Sequence, residues 1–119
     1  MRILVVDDES AMTEALAAVL QDDGHEVDSA HDGEAALERM RSRAPDLVIL
    51  DVMMPRMTGP EVLRAMRADE TLRPVPVVIL TAVPLTVVRD LLGGDAALVL
   101  HKPVSLDELA EAVRAARAR

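Results

Sequence analysis

A doubly wound α/β domain built on a five-stranded parallel sheet is the fold this sequence predicts, and three observations carry that reading. Short runs that are apolar throughout, such as "ILVV" (3–6), "DLVIL" (46–50) and "VPVVIL" (75–80), alternate strictly with longer stretches of helical period. Strands apolar on both faces belong to a parallel sheet covered by helices on both sides. The chain has 119 residues, half of them apolar, which is enough for one core and too little for two.

The elements follow in order. After the first strand at 3–6, "SAMTEALAAVLQDD" (10–23) reads as a helix with Met12, Leu16, Val19 and Leu20 on one side, ended by Gly24. "EVDSA" (26–30) is a weaker second strand, and 32–43 a helix with Ala36, Leu37 and Met40 inward. The third strand, 46–50, leads to a helix over 58–69 opened by Thr58 or Gly59, with Pro60 near its first turn. The fourth strand, 75–80, is followed by a short helix at 84–92 closed by Gly93 and Gly94. "ALVL" (97–100) and a helix over 105–118 complete five units. Five are too few for a closed eight-stranded barrel. An open sheet of flavodoxin type, strand order 2-1-3-4-5, is the natural solution.

Composition narrows the partners. The chain carries 21 acids against 13 bases, a net charge of −8, and no Phe, Trp or Tyr. Direct nucleic-acid binding is not expected of that balance, and bases have no aromatic side chain to stack on. Cysteine is absent, which removes disulfides and thiolate metal sites. No apolar run reaches the roughly 18 residues of a membrane span. Acids follow the first six residues, too soon for a secretory signal, so no membrane association and a cytoplasmic location are expected.

In such sheets ligands sit at the carboxyl ends of the strands, where the strand order reverses between strands 1 and 3. Strand 1 ends in Asp7 and Asp8, with Glu9 next, and strand 3 ends in Asp51. Strand 4 ends in Thr81, and strand 5 in His101 and Lys102. Taken alone, Asp51 in "DVMMPRMTG" (51–59) also reads as an acid capping the following helix. Convergence of three acids, a hydroxyl and an ammonium on one edge carries more weight. Clustered carboxylates raise one another's pKa unless a cation holds them ionised. An all-oxygen set without His or Cys selects Mg2+ or Mn2+. A divalent metal beside a Lys and a Thr suits a phosphoryl group, and a carboxylate can attack phosphorus to form an aspartyl phosphate.

On "VVDDE" (5–9), "LVILDVMMPRMTG" (47–59), "VILTA" (78–82) and "HKP" (101–103), the whole chain, 1–119, resembles the receiver domain of two-component response regulators. The resemblance implies that Asp51 is the phosphoacceptor, that Asp8 ligates Mg2+ directly and Asp7 chiefly through water, and that Met53 offers its backbone carbonyl. It implies that Thr81 and Lys102 contact the phosphoryl group, that Ala82 leaves it accessible, and that the Lys102–Pro103 peptide is cis. The implied partners are a sensor histidine kinase or phosphotransfer protein, and a downstream effector or attached output domain. A homodimer through the fourth helix, fifth strand and fifth helix belongs to the same expectation. The resemblance also implies a signalling domain that promotes its own phosphorylation and dephosphorylation rather than a classical enzyme.

Three departures stand out. Val99, or Leu98 with a one-residue slip, occupies the place of the family's strand 5 Tyr or Phe, and Val104 follows "KP" where Phe is frequent. The connector "GGDAALVL" before Lys102 reads as one residue long. These departures keep open an alternative, a pseudo-receiver that acts as a phosphorylation-independent interaction module. A phosphohydrolase with an aspartyl nucleophile is a weaker rival, because Met53 stands where it needs a second acid. Glu9 reads as a helix N-terminal acid, His25 and His31 as solvent-facing, and Met53, Met54 and Met57 as filling around the turn. The fourth helix holds five apolar residues in 85–92, more than one buried face needs, so part of it is expected to be exposed and to carry the switch. No output domain follows the last helix, leaving a stand-alone receiver or a piece of a larger protein as alternatives.

Overall fold

The computed structural model describes residues 1–93 and 98–117. Strands β1 (Arg2–Val6), β2 (Glu26–Ala30), β3 (Leu47–Leu50), β4 (Val77–Thr81) and β5 (Leu98–His101) alternate with five helices. These are α1 (Ser10–Asp22), α2 (Gly33–Ser42), α3 (Gly59–Ala68), α4 (Leu85–Leu92) and α5 (Leu106–Arg117). All strand pairs are parallel and the order is β2-β1-β3-β4-β5, as the sequence predicts. The expected strand start at Ala97, the second glycine Gly94, the long connector and the helix end at Ala118 lie outside the described residues.

Side-chain alternation divides the strands between two cores. Leu4, Val6, Val48, Leu50, Val77 and Ile79 face α2 and α3, where they meet Leu37, Met40, Val62 and Met66. Ile3, Val5, Leu47, Ile49, Val78 and Leu80 face α1 and α5, against Leu16, Leu20, Leu109 and Val113. The central strands are apolar on both faces because both faces are covered. With no aromatic ring available, interlocking aliphatic side chains and methionines fill the interior.

Local chemistry sets the helix ends. Asp32 accepts a hydrogen bond from the Ala35 N–H at 2.8 Å and caps α2. Thr58 and Glu61 form a reciprocal capping box that starts α3, and Ser105 with Glu108 does the same before α5. Helix α4 has no side-chain cap at Pro84 and ends at Gly93 in a left-handed conformation.

Two sequence expectations shift. The fourth strand begins at Val77, not at residue 75. Pro76 has no N–H for the ladder, and the Val75 N–H turns back to the Leu72 carbonyl at 3.0 Å. Thr81 is its last residue, as expected. His25 is half-buried rather than solvent-facing, its Nδ1 lying 3.3 Å from the Met1 amino group.

Candidate functional site

The register carries the polar residues to one edge. Val6 pairs with Leu50, Leu50 with Ile79, and Thr81 with His101, so the residues just beyond these positions converge. Hydrogen bonds continue past the strand ends: the Asp7 N–H donates to the Ala30 carbonyl and the Asp51 N–H to the Val6 carbonyl. The Lys102 N–H donates to the Thr81 carbonyl at 2.8 Å, and the Lys102–Pro103 peptide is cis.

The side chains then meet. One carboxylate oxygen from each of Asp7, Asp8 and Asp51 lies within 4.8 Å of the other two. Lys102 Nζ is 2.8 Å from Asp7 Oδ2 and 3.8 Å from Asp51 Oδ2. Asp7 Oδ1 accepts from the Glu9 N–H at 3.0 Å, and Asp51 Oδ1 from the Val52 N–H at 2.7 Å. Thr81 is fully buried, and its hydroxyl oxygen accepts from the Val83 N–H. Asp7 and Asp51 are 3% and 9% exposed, whereas Asp8 is open to solvent. Asp7, Asp8, Asp51, Thr81 and Lys102 are therefore brought together. Met53 stands apart, 59% exposed on the loop after β3. Met54 is buried and Met57 packs against the core, in line with a filling role.

Burial raises the pKa of Asp51. Lys102 opposes that rise, the Asp7 charge adds to it, and the Val52 N–H and the Thr81 hydroxyl lower it by smaller amounts. Burial would lower the pKa of Lys102, but the hydrogen bond to Asp7 and the charges of Asp51, Asp7 and Glu9 together raise it. Two unit charges about 4 Å apart interact by roughly 4 kcal/mol at an effective dielectric near 20. Three carboxylates and one ammonium leave two uncompensated negative charges in this cluster. A divalent cation supplies the missing charge, and a set of oxygens alone at this spacing is suited to Mg2+.

Two contributors were not legible as side-chain signals. The Glu9 and Val52 N–H groups hold the two buried acids through the backbone, which any residue type provides. His101 bonds neither acid; its Nε2 lies 3.1 Å from the Ala82 carbonyl, tying the end of β5 to the loop after β4.

Residues 3–114 match the response regulator receiver domain family. Response regulator MprA of Mycobacterium avium is 44% identical over 97% of this chain and 50% of its own length. MprA of Mycobacterium ulcerans is 45% identical over 96% and 49%. The chain thus spans about half the length of the curated relatives it matches. Among solved structures, a putative response regulator from Chloroflexus aurantiacus superposes with a TM-score of 0.92 at 31% identity, covering 99% of this chain and 98% of that one. Chemotaxis protein CheY4 of Vibrio cholerae superposes at 0.89 with 30% identity and 97% coverage of each chain.

Proposed function

The chain belongs to the response regulator receiver domain family, and on that premise we propose that it takes a phosphoryl group onto Asp51 from a phosphohistidine. The donor is a sensor histidine kinase or a phosphotransfer protein. One observation carries the reading: the buried Asp51 carboxylate lies between the Asp7–Asp8 pair and the Lys102 ammonium. An oxygen of Asp51 forms the new O–P bond while the N–P bond of the phosphohistidine breaks, and its electron pair returns to the imidazole nitrogen. Desolvation makes the carboxylate the better nucleophile, and the Lys102 charge favours its ionised form against the effect of burial.

Asp7, Asp8 and Asp51, with the Met53 carbonyl as a further oxygen, would hold Mg2+, which when bound neutralises charge on the phosphoryl group. Lys102 then exchanges Asp7 for a phosphoryl oxygen. Thr81, already beside Asp51, gives its hydroxyl to another and draws residues 82–84 with it. That loop leads straight into α4, so the surface of α4, β5 and α5 is the proposed readout. Its reader is a downstream effector or attached output domain, or a second copy in a homodimer.

Intact mass after incubation with acetyl phosphate and Mg2+ tests this. One added phosphoryl group is expected on the native chain and none on Asp51→Asn. Equal labelling of Asp51→Asn contradicts the assignment. Failure of the native chain to label favours the phosphorylation-independent interaction module.

A further inference from the structure

We propose that Gly59 is a positioning residue for Asp51: its missing side chain is what lets the first turn of α3 clamp the peptide that holds the phosphoacceptor. The proposal rests on the role of Asp51 given above and adds to it a residue that sequence reasoning takes only for a helix entry. Gly59 is the first residue of α3, and its N–H donates to the Val52 carbonyl at 2.8 Å. A Cβ at this position would fall 2.9 Å from Val52 Cα, 3.0 Å from the Asp51 carbonyl carbon and inside the contact limit of the Asp51 carbonyl oxygen. All three are backbone atoms, so no flexible side chain can give way.

The peptide pressed by Gly59 is the one whose N–H, on Val52, donates to Asp51 Oδ1 at 2.7 Å. It cannot retreat on its other side. The Asp51 N–H is bonded to the Val6 carbonyl in the sheet, and Val52 is fully buried. A methyl group at residue 59 therefore has to rotate that peptide or lift α3 away. Either change slackens the bond that orients the carboxylate between Lys102 and the acid pair. Displacement of a reacting group by about 1 Å can cost on the order of 100-fold in rate.

Gly33 supplies a matched control. It too is the first residue of its helix, α2, and a Cβ there would lie 2.7 Å from Val62 Cγ2 and 2.8 Å from Met57 Cβ. Those contacts are with side chains and none touches the Asp51 peptide. Helix propensity and entropy effects are thus alike at the two positions, and only the neighbour differs.

The test compares Gly59→Ala with Gly33→Ala in the full chain, on samples shown to be folded by circular dichroism. Labelling by acetyl phosphate with Mg2+ and the Asp51 carboxyl titration by 13C NMR are the readouts. Gly59→Ala is expected to slow labelling by about tenfold or more. It should also move the Asp51 pKa further up, because a hydrogen bond that favours the carboxylate weakens. Gly33→Ala is expected to melt earlier yet label within about twofold of the native chain, with the Asp51 titration unmoved. If Gly59→Ala does not fold, Gly59→Ala/Pro60→Ala, in which α3 can give up its first turn, is measured the same way. An Asp51 titration and labelling rate that change no more than in Gly33→Ala overturn the proposal. A native chain that does not label refutes the phosphoacceptor reading instead, and the amide shift of Val52, whose N–H donates to Asp51 Oδ1, then decides the role of Gly59: a shift no larger than in Gly33→Ala overturns it.

Discussion

The acid-bearing half of the sheet and the α4–β5 half are built to different standards. In β3 every residue is at most 1% exposed, while β5 is partly exposed along Leu98–Leu100 and exposed at His101. Helix α3 buries five residues behind a capping box, whereas α4 buries only Val88 and shows Leu85, Val87 and Leu91 at 41–45% exposure. The pairing lies along one continuous sheet, so the difference is one of cover, not of topology. The half that holds the acids in register is fixed by packing. Helix α4 and β5, which follow Thr81, are the less covered elements, as the proposed readout surface requires.

The largest effect should come from cutting into the firm half. Leu50→Ala leaves a cavity between β3 and both α2 and α3, and should cost about 2–5 kcal/mol in urea unfolding. Leu91→Ala on α4 removes a side chain already 42% exposed and should change stability by no more than about 0.5 kcal/mol. Comparable losses at both sites would erase the contrast.

Next in size is the charge held at the firm edge. The folded pKa of Asp51 is raised, so the folded state binds its proton more tightly than the unfolded chain does. Its contribution to stability is present below the unfolded value of 3.8 and is lost as pH rises through the raised folded value. At neutral pH without metal, Asp51→Asn should therefore raise the melting temperature, by the few degrees that about 1 kcal/mol produces in a domain of about 100 residues. Mg2+ should do more for the native chain, roughly 2.7 kcal/mol at 100 times its dissociation constant, and much less for Asp51→Asn. A metal-free Asp51→Asn that melts earlier than the native chain would argue against a strained cluster.

Smaller still is the loop that joins the two standards. His101→Ala removes the link to the Ala82 carbonyl and should speed amide exchange across 82–92 by about tenfold while leaving the global unfolding free energy nearly unchanged. Smallest is Arg56, held at φ 68 in the loop after β3 with an exposed ion pair to Asp32 at 3.6 Å. Arg56→Gly relieves the left-handed strain of about 1–2 kcal/mol, partly offset by glycine's entropy and a weak pair. A net gain of about 0.5 kcal/mol in thermal unfolding is expected.

The same contrast governs what could be read from the sequence. Strands β1 and β3 are legible because their uninterrupted apolar runs mirror cover on both faces, and Asp7, Asp8 and Asp51 are legible because they end those runs. The start of β4 is misread because "VPVV" has the composition of a strand, while only the backbone accounting at Pro76 excludes its first residues. Buried Thr13 escapes a search for apolar faces, since its hydroxyl is satisfied by the Ser10 carbonyl one turn back. The N–H groups of Glu9 and Val52 leave no trace in residue type. Gly59 does leave one, a glycine opening a helix that Thr58 already caps, but its meaning depends on which backbone lies beneath it.

Hydrogen exchange of the native chain, with and without acetyl phosphate and Mg2+, tests the central claim most directly. Amides of β3 should be the best protected and should not change on phosphorylation. Residues 82–93 should exchange faster than β3 in the free protein and change their protection once Asp51 is modified. Protection across 82–93 equal to that of β3, and unaltered by phosphorylation, would contradict the account.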